Sequence, residues 1–106
     1  MKPKLIELTE RQERLLSGPP ETAGMKSGHV VLAVGEESGR HSTGEREEMI
    51  IVRSGAGVVE IDGQKPLAVS RQIICYIPPG TWHNVKNNGR ERLDYVYVVT
   101  PAGKAS

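Results

Sequence analysis

Gly35-Glu36-Glu37-Ser38-Gly39-Arg40-His41-Ser42-Thr43-Gly44-Glu45-Arg46-Glu47-Glu48-Met49-Ile50-Ile51-Val52-Arg53-Ser54-Gly55 runs from a turn-rich segment into an apolar run and ends on a second glycine. In a β-strand alternate side chains share a face, so Glu48 lies on the same side as Ile50 and Val52. Two large apolar neighbours mark that side as the inner one. A carboxylate placed there requires a cation or hydrogen-bond donors, because an unpaired buried charge is expensive. Met49 and Ile51 make the opposite side apolar as well. In an antiparallel sheet one face is normally polar, so a doubly apolar strand implies cover on its outside.

The same texture extends in both directions. Short β-prone runs fall at residues 29–34, 48–53, 58–61, 67–69, 73–77, 82–85 and 93–100. The breaks between them have turn chemistry: Asp62-Gly63, Pro78-Pro79-Gly80 and Asn87-Asn88-Gly89. Runs of this length and spacing predict an all-β sandwich or barrel, and no βαβ alternation or phosphate-binding glycine loop interrupts them. Residues 1–24 read differently, as an N-terminal arm ahead of a barrel domain over 25–106. Thr9 followed by Gln12 has the form of a capping box, Glu10 can pair with Arg14, and Gly18-Pro19-Pro20 would end a helix. That pattern predicts either a short helix over 10–16 or an extended arm, since isolated helices so short are marginal.

Composition narrows the function classes. The chain has 106 residues, 14 Lys and Arg against 13 Asp and Glu, and a formal charge of +1 spread along its length. Neither a basic stripe for nucleic acid nor an acidic block is present. The single cysteine, Cys75, excludes an internal disulfide. The amino-terminal residues lack the uninterrupted apolar core of a signal peptide, and the longest apolar run, 30–34, is too short to span a bilayer. The expectation is a soluble cytoplasmic protein without a membrane partner. Phe is absent, so Val, Ile and Leu must fill the core, again favouring sheet.

Only three histidines occur: His29, His41 and His83. His83 shares a strand face with Val85, just after the Pro78-Pro79-Gly80 turn. With Glu48, His41 and His83 make a complete ligand set for Zn(II) or non-haem Fe(II). The alternative is a surface glutamate and two hydrogen-bonded histidines.

The spacing Gly35-x5-His41-x-Thr43-x4-Glu48-x6-Gly55 resembles the first motif of the cupin superfamily, and Pro78-x-Gly80-x2-His83-x3-Asn87 resembles the second. The resemblance covers roughly residues 28–100 and is that of a small, single-domain cupin. It implies an all-β jelly-roll barrel with a central pocket, and it places a divalent metal (Fe, Mn, Ni or Zn) on His41, Glu48 and His83. Glu47 is a permitted alternative to Glu48, but only Glu48 puts Gly55 six residues later. Two positions depart from the pattern. Thr43 stands where the motif has its second histidine, and Gln72 stands where the second motif begins with glycine. Without that histidine the site has three protein ligands, which leaves positions open for a substrate.

Other residues have plainer readings. His29 is a strand residue outside both motifs, and Cys75 is a buried apolar filler. Trp82 points away from His83, into outer packing or a subunit interface. Arg53 is a solvated charge. Tyr95 and Tyr97 share one face of the last strand, which makes Tyr97, with Thr43, a candidate contact for a bound ligand. The resemblance implies either a metal-dependent oxygenase, isomerase, decarboxylase or lyase acting on a small polar molecule, or a non-catalytic module binding a sugar or carboxylate. The apolar outer faces predict a homodimer.

Overall fold

Alternation of apolar and polar residues resolves into nine strands in the computed structural model, which describes residues 1–103. In chain order they are β1 (Glu13–Ser17), β2 (Lys26–Leu32), β3 (His41–Ser42), β4 (Arg46–Ser54), β5 (Ala56–Ile61), β6 (Leu67–Ser70), β7 (Ile74–Ile77), β8 (Trp82–Lys86) and β9 (Leu93–Pro101). They form two antiparallel sheets, β1-β2-β9-β4-β7 and β3-β8-β5-β6, facing each other across one core. Ile50, Val52, Val59, Ile77, Val85, Leu93 and Tyr95 fill that core. All are inward members of their strands, so the period-two reading of the sequence holds through both sheets.

Two elements bear on expectation, and the first decides for the extended alternative over residues 10–16. The helix over 10–16 does not form. Glu13–Ser17 is instead a strand paired with β2, with a register irregularity between Arg14 and Leu16. Thr9 does accept a bond from a nearby backbone amide, that of Arg11 at 3.1 Å, but the Gln12 side chain accepts one from Val31 N at 3.3 Å. The local capping signal was real but weaker than the exposed edge of β2, which offers a ready-made row of backbone partners. The second element is β3, a two-residue strand that pairs His41 with His83 and Ser42 with Trp82. Among the described residues no helix is long and apolar enough to cross a membrane.

Two backbone positions hold the corners. Gly55 has φ of +84°, and a Cβ there would run into the Arg92 carbonyl oxygen and lie 2.9 Å from Leu93 Cα. It turns the chain from one sheet into the other, and only glycine fits. Gln72 has φ of +69° without being glycine. Its amide donates to Val52 O at 3.0 Å, fixing the turn between β6 and β7 in this left-handed form. Glycine at that motif position thus has a physical reason, and Gln72 meets the demand under strain.

The outer face of the five-stranded sheet is apolar where Met49, Ile74 and Tyr76 stand exposed beside the half-buried Ile51, Val96 and Val98. Farther along that face a polar pair is buried: His29 Nε2 lies 2.7 Å from Asp94 Oδ1, with Arg53 Nη1 at 3.4 Å from both. Arg53 is therefore only partly the solvated charge expected; it flanks a buried ion-pairing group. Gln72→Gly is expected to raise stability by about 0.5–1 kcal/mol, by relieving the left-handed strain, and Gly55→Ala to lower it by at least about 2 kcal/mol. Denaturant titration of both variants checks this, and a destabilised Gln72→Gly protein would contradict the strain.

Candidate metal centre

Each of the three ligand candidates arrives by a separate route. The 35–40 loop is stitched onto β8: Ser38 N donates to Val85 O at 2.9 Å, Val85 N to Ser38 Oγ at 3.1 Å, and Gly39 N to the buried Asn84 Oδ1 at 2.9 Å. That lays His41 directly opposite His83 in the β3–β8 register. Glu48 comes from the facing sheet, on β4, so the site lies between the two sheets. One donor atom from each of His41, Glu48 and His83 falls within 4.8 Å of the others, and the imidazole rings meet edge to face at 4.3 Å between centroids. A single ion drawing each donor to about 2.1 Å needs separations of about 3–4 Å, a contraction within the range of side-chain torsions.

Hydrogen bonding fixes both rings in a ligating form. His41 Nδ1 lies 3.0 Å from Gly39 O, and His83 Nδ1 lies 3.0 Å from Thr81 O. A carbonyl only accepts, so each Nδ1 carries the proton and each neutral ring is left with a bare lone pair on Nε2. The Nε2 atom of His83 is buried without a hydrogen-bond partner, and its nearest charged neighbour is Glu48 Oε1 at 3.4 Å. A buried acceptor facing a buried carboxylate is unfavourable as it stands and suits a shared cation. The donor set therefore fits a divalent ion.

Thr43 is buried, and its hydroxyl is engaged on both sides: it donates to Pro78 O at 2.7 Å and accepts from Thr81 N at 3.0 Å. It clamps the 78–81 turn that delivers His83. Asn87, the last residue of the second motif, similarly donates to Leu32 O at 2.9 Å and Glu91 O at 2.8 Å. His29 lies in the separate Asp94 cluster.

The site opens into a cavity of about 580 Å³ whose lining includes Thr43, Tyr95 and Tyr97, so the Tyr95–Tyr97 side of β9 is the inner one. Tyr97 lies over Gly28, where a Cβ would come within 2.5–2.6 Å of its phenol atoms. Burial, reinforced by the Glu48 charge, pushes the Tyr95 phenol up to about 12 even though Ser38 pulls the other way. Tyr95 is thus a neutral O–H in the pocket wall, a role that alternation alone left open between two faces. Burial and the Glu48 charge also raise the Cys75 thiol above its ordinary value, keeping it unreactive. Trp82 points outward, half-exposed, with the Arg40 guanidinium stacked 4.4 Å from the ring centre.

The relatives agree with this architecture. The sequence model described as "Cupin domain" matches residues 28–99, and the chain belongs to that family. A cupin 2 conserved barrel domain protein from Salinispora arenicola superposes with a TM-score of 0.77 at 24% identity, covering 95% of this chain and 92% of that one. A predicted oxalate decarboxylase from Thermotoga maritima gives 0.68 at 18% identity, covering 86% and 92%. The Cnp3 cupin domain structure from Schizosaccharomyces pombe gives 0.76 at 16% identity; this chain is covered to 86% but spans only 64% of that one. At these identities the likeness is one of fold. No protein of curated function matches the sequence.

Burial opposes protonation of His83, but the Glu48 carboxylate and the Thr81 carbonyl outweigh it, leaving its pKa above the ordinary 6.5. A raised folded-state pKa stabilises the metal-free fold fully below the unfolded value, and that contribution disappears as pH rises through the folded value. NMR titration of metal-stripped protein is expected to place His83 above 6.5 and to bring it down in Glu48→Gln. An unmoved His83 in that variant would mean the carboxylate is not the cause.

Proposed function

We propose that His41, Glu48 and His83 bind one divalent metal ion and that the protein is a metal-dependent enzyme acting on a small polar organic molecule. The observation that carries this reading is the buried, unpartnered Nε2 of His83 facing Glu48 at 3.4 Å, with its proton held on the other ring nitrogen. Three protein ligands leave coordination positions open toward the cavity. Bound there, a divalent ion supplies Lewis-acid polarisation of a chelated substrate oxygen. The chain's own residues then do the rest. Tyr95 donates a hydrogen bond from a phenol that stays protonated at neutral pH, and Val30, Val85 and Val99 shield the chelated end from water.

A second reading, capture of a small sugar or carboxylate without turnover, is favoured by one feature: Tyr95 and Cys75 both titrate too high to act as bases near neutrality. A metal-dependent reaction on a chelated substrate would separate the two.

Protein purified without a chelating tag is expected to carry close to one equivalent of iron, manganese, nickel or zinc, and His83→Ala to carry none, by elemental analysis. Wild-type protein that takes up no metal after reconstitution would overturn the proposal. We also propose a homodimer through the apolar outer face of the five-stranded sheet, around Met49, Ile74 and Tyr76. Light scattering at micromolar concentration is expected to give the dimer mass, and a monomer would exclude it.

A further inference from the structure

Charge around the cavity is unevenly matched. Its lining includes three acids and three cations: Glu36, Glu37 and Glu48 against Arg14, Lys26 and Arg46. Two of the acids have partners within the fold, and the third, Glu48, is the one the proposed ion would satisfy. Glu36 accepts from Ala33 N at 2.6 Å, Glu37 lies 3.6 Å from Lys86 Nζ, and Glu48 faces His83. None of the three cations has a hydrogen bond or ion pair from its side chain among the described residues.

Strand register places these cations together. Residues directly paired across a sheet share a face, so Lys26, Val99 and Glu48 form one inward row across β2, β9 and β4. Arg14, Gly28, Tyr97 and Ile50 form the neighbouring row, and Arg46 with Pro101 begins the row beyond Glu48. The Cα atoms of Lys26 and Glu48 are thus two strand spacings apart, about 10 Å. Gly28 has no side chain to stand between Arg14 and Tyr97. Glu36 and Glu37 follow the opposite end of β2, about 20 Å along the strand from Lys26. Among the described residues, the cations at that end of the cavity, Arg14 and Arg46 exposed and Lys26 half-buried, thus have no anionic partner, and they flank the metal ligands.

We propose that Arg14, Lys26 and Arg46 form an anion subsite, and that the molecule bound is an organic dianion, one end chelated at His41, Glu48 and His83 and a second carboxylate held by these cations. The subsite rests on the metal-centre reading and adds the substrate class to it. A neutral sugar would leave three cations facing the cavity without anions, whereas a second carboxylate meets them with charge-assisted bonds. The β1 strand is part of the binding wall, because it brings Arg14 opposite Gly28.

The test is calorimetric titration of the full-length nickel-loaded protein with glutarate and with its monoamide. Glutarate is expected to bind about tenfold tighter than the monoamide, the worth of one charge-assisted hydrogen bond, and less tightly as salt rises. In Arg14→Gln/Lys26→Gln that preference is expected to fall below about threefold while nickel affinity and the circular dichroism spectrum stay unchanged. An undiminished preference in the double variant, or none in the wild type, overturns the subsite. If nickel does not bind the wild type, the metal reading fails by itself, and metal-free protein decides the subsite. Salt-sensitive glutarate binding that the double variant loses supports it, and no binding overturns it.

Discussion

Glu48 is a buried carboxylate on the inner wall of the barrel, between the apolar Ile50 and Val52 and the polar cavity, and much of the site is arranged around that placement. It is 8% exposed, level with the core side chains, and it faces the His83 imidazole, whose Nδ1 the turn at 78–81 engages, at 3.4 Å. A lone anion there would be strongly destabilising, so its surroundings must provide positive charge. Two devices do so in different ways. Protonation of His83, which the Glu48 carboxylate favours, is one source of that charge, and a shared divalent ion on the Nε2 lone pairs would be another. The neighbours respond to the same charge, since it helps hold the Tyr95 phenol and the Cys75 thiol in their neutral forms.

Precision in this small barrel comes largely from polar groups gripping backbone. Thr43 holds the 78–81 turn, Asn84 and Ser38 hold the loop ahead of His41, and Asn87 ties the end of β2 to the 87–91 loop. Thr43, Asn84 and Asn87 are buried while Ser38 lies at the surface, and each satisfies backbone groups that the fold would otherwise leave unpaired. The apolar core is made of medium-sized aliphatic residues with no phenylalanine, which can pack well in several ways. The hydrogen-bonded loops remove that freedom around His41 and His83.

Much of this architecture was legible in the sequence because it depends on alternation and turn chemistry. All seven β-prone runs are strands, with ends shifted by a few residues, and Glu48 and His83 fall on the inner face as their neighbours Ile50, Val52 and Val85 implied. What escaped depends on partners distant in sequence. Residues 13–17 have no strong period of their own and become strand because β2 has a free edge. The His29–Asp94 pair joins positions 65 residues apart on a face that alternation assigns to the exterior. Gln72 was readable as a departure from a motif, but its left-handed backbone was not, since nothing in a glutamine announces that geometry.

The double engagement of Thr43 has a bearing on how such a site can change over time. Placing histidine at that position looks like the single step that would complete a four-ligand centre. The same step would remove the hydroxyl that accepts from Thr81 N and donates to Pro78 O, loosening the turn on which His83 depends. A gained ligand would thus come with a less well-positioned neighbour, and the exchange becomes favourable only after some other residue has taken over the turn. Position 43 is thus coupled to the turn, and a change there acts on the candidate site through His83 as well as directly.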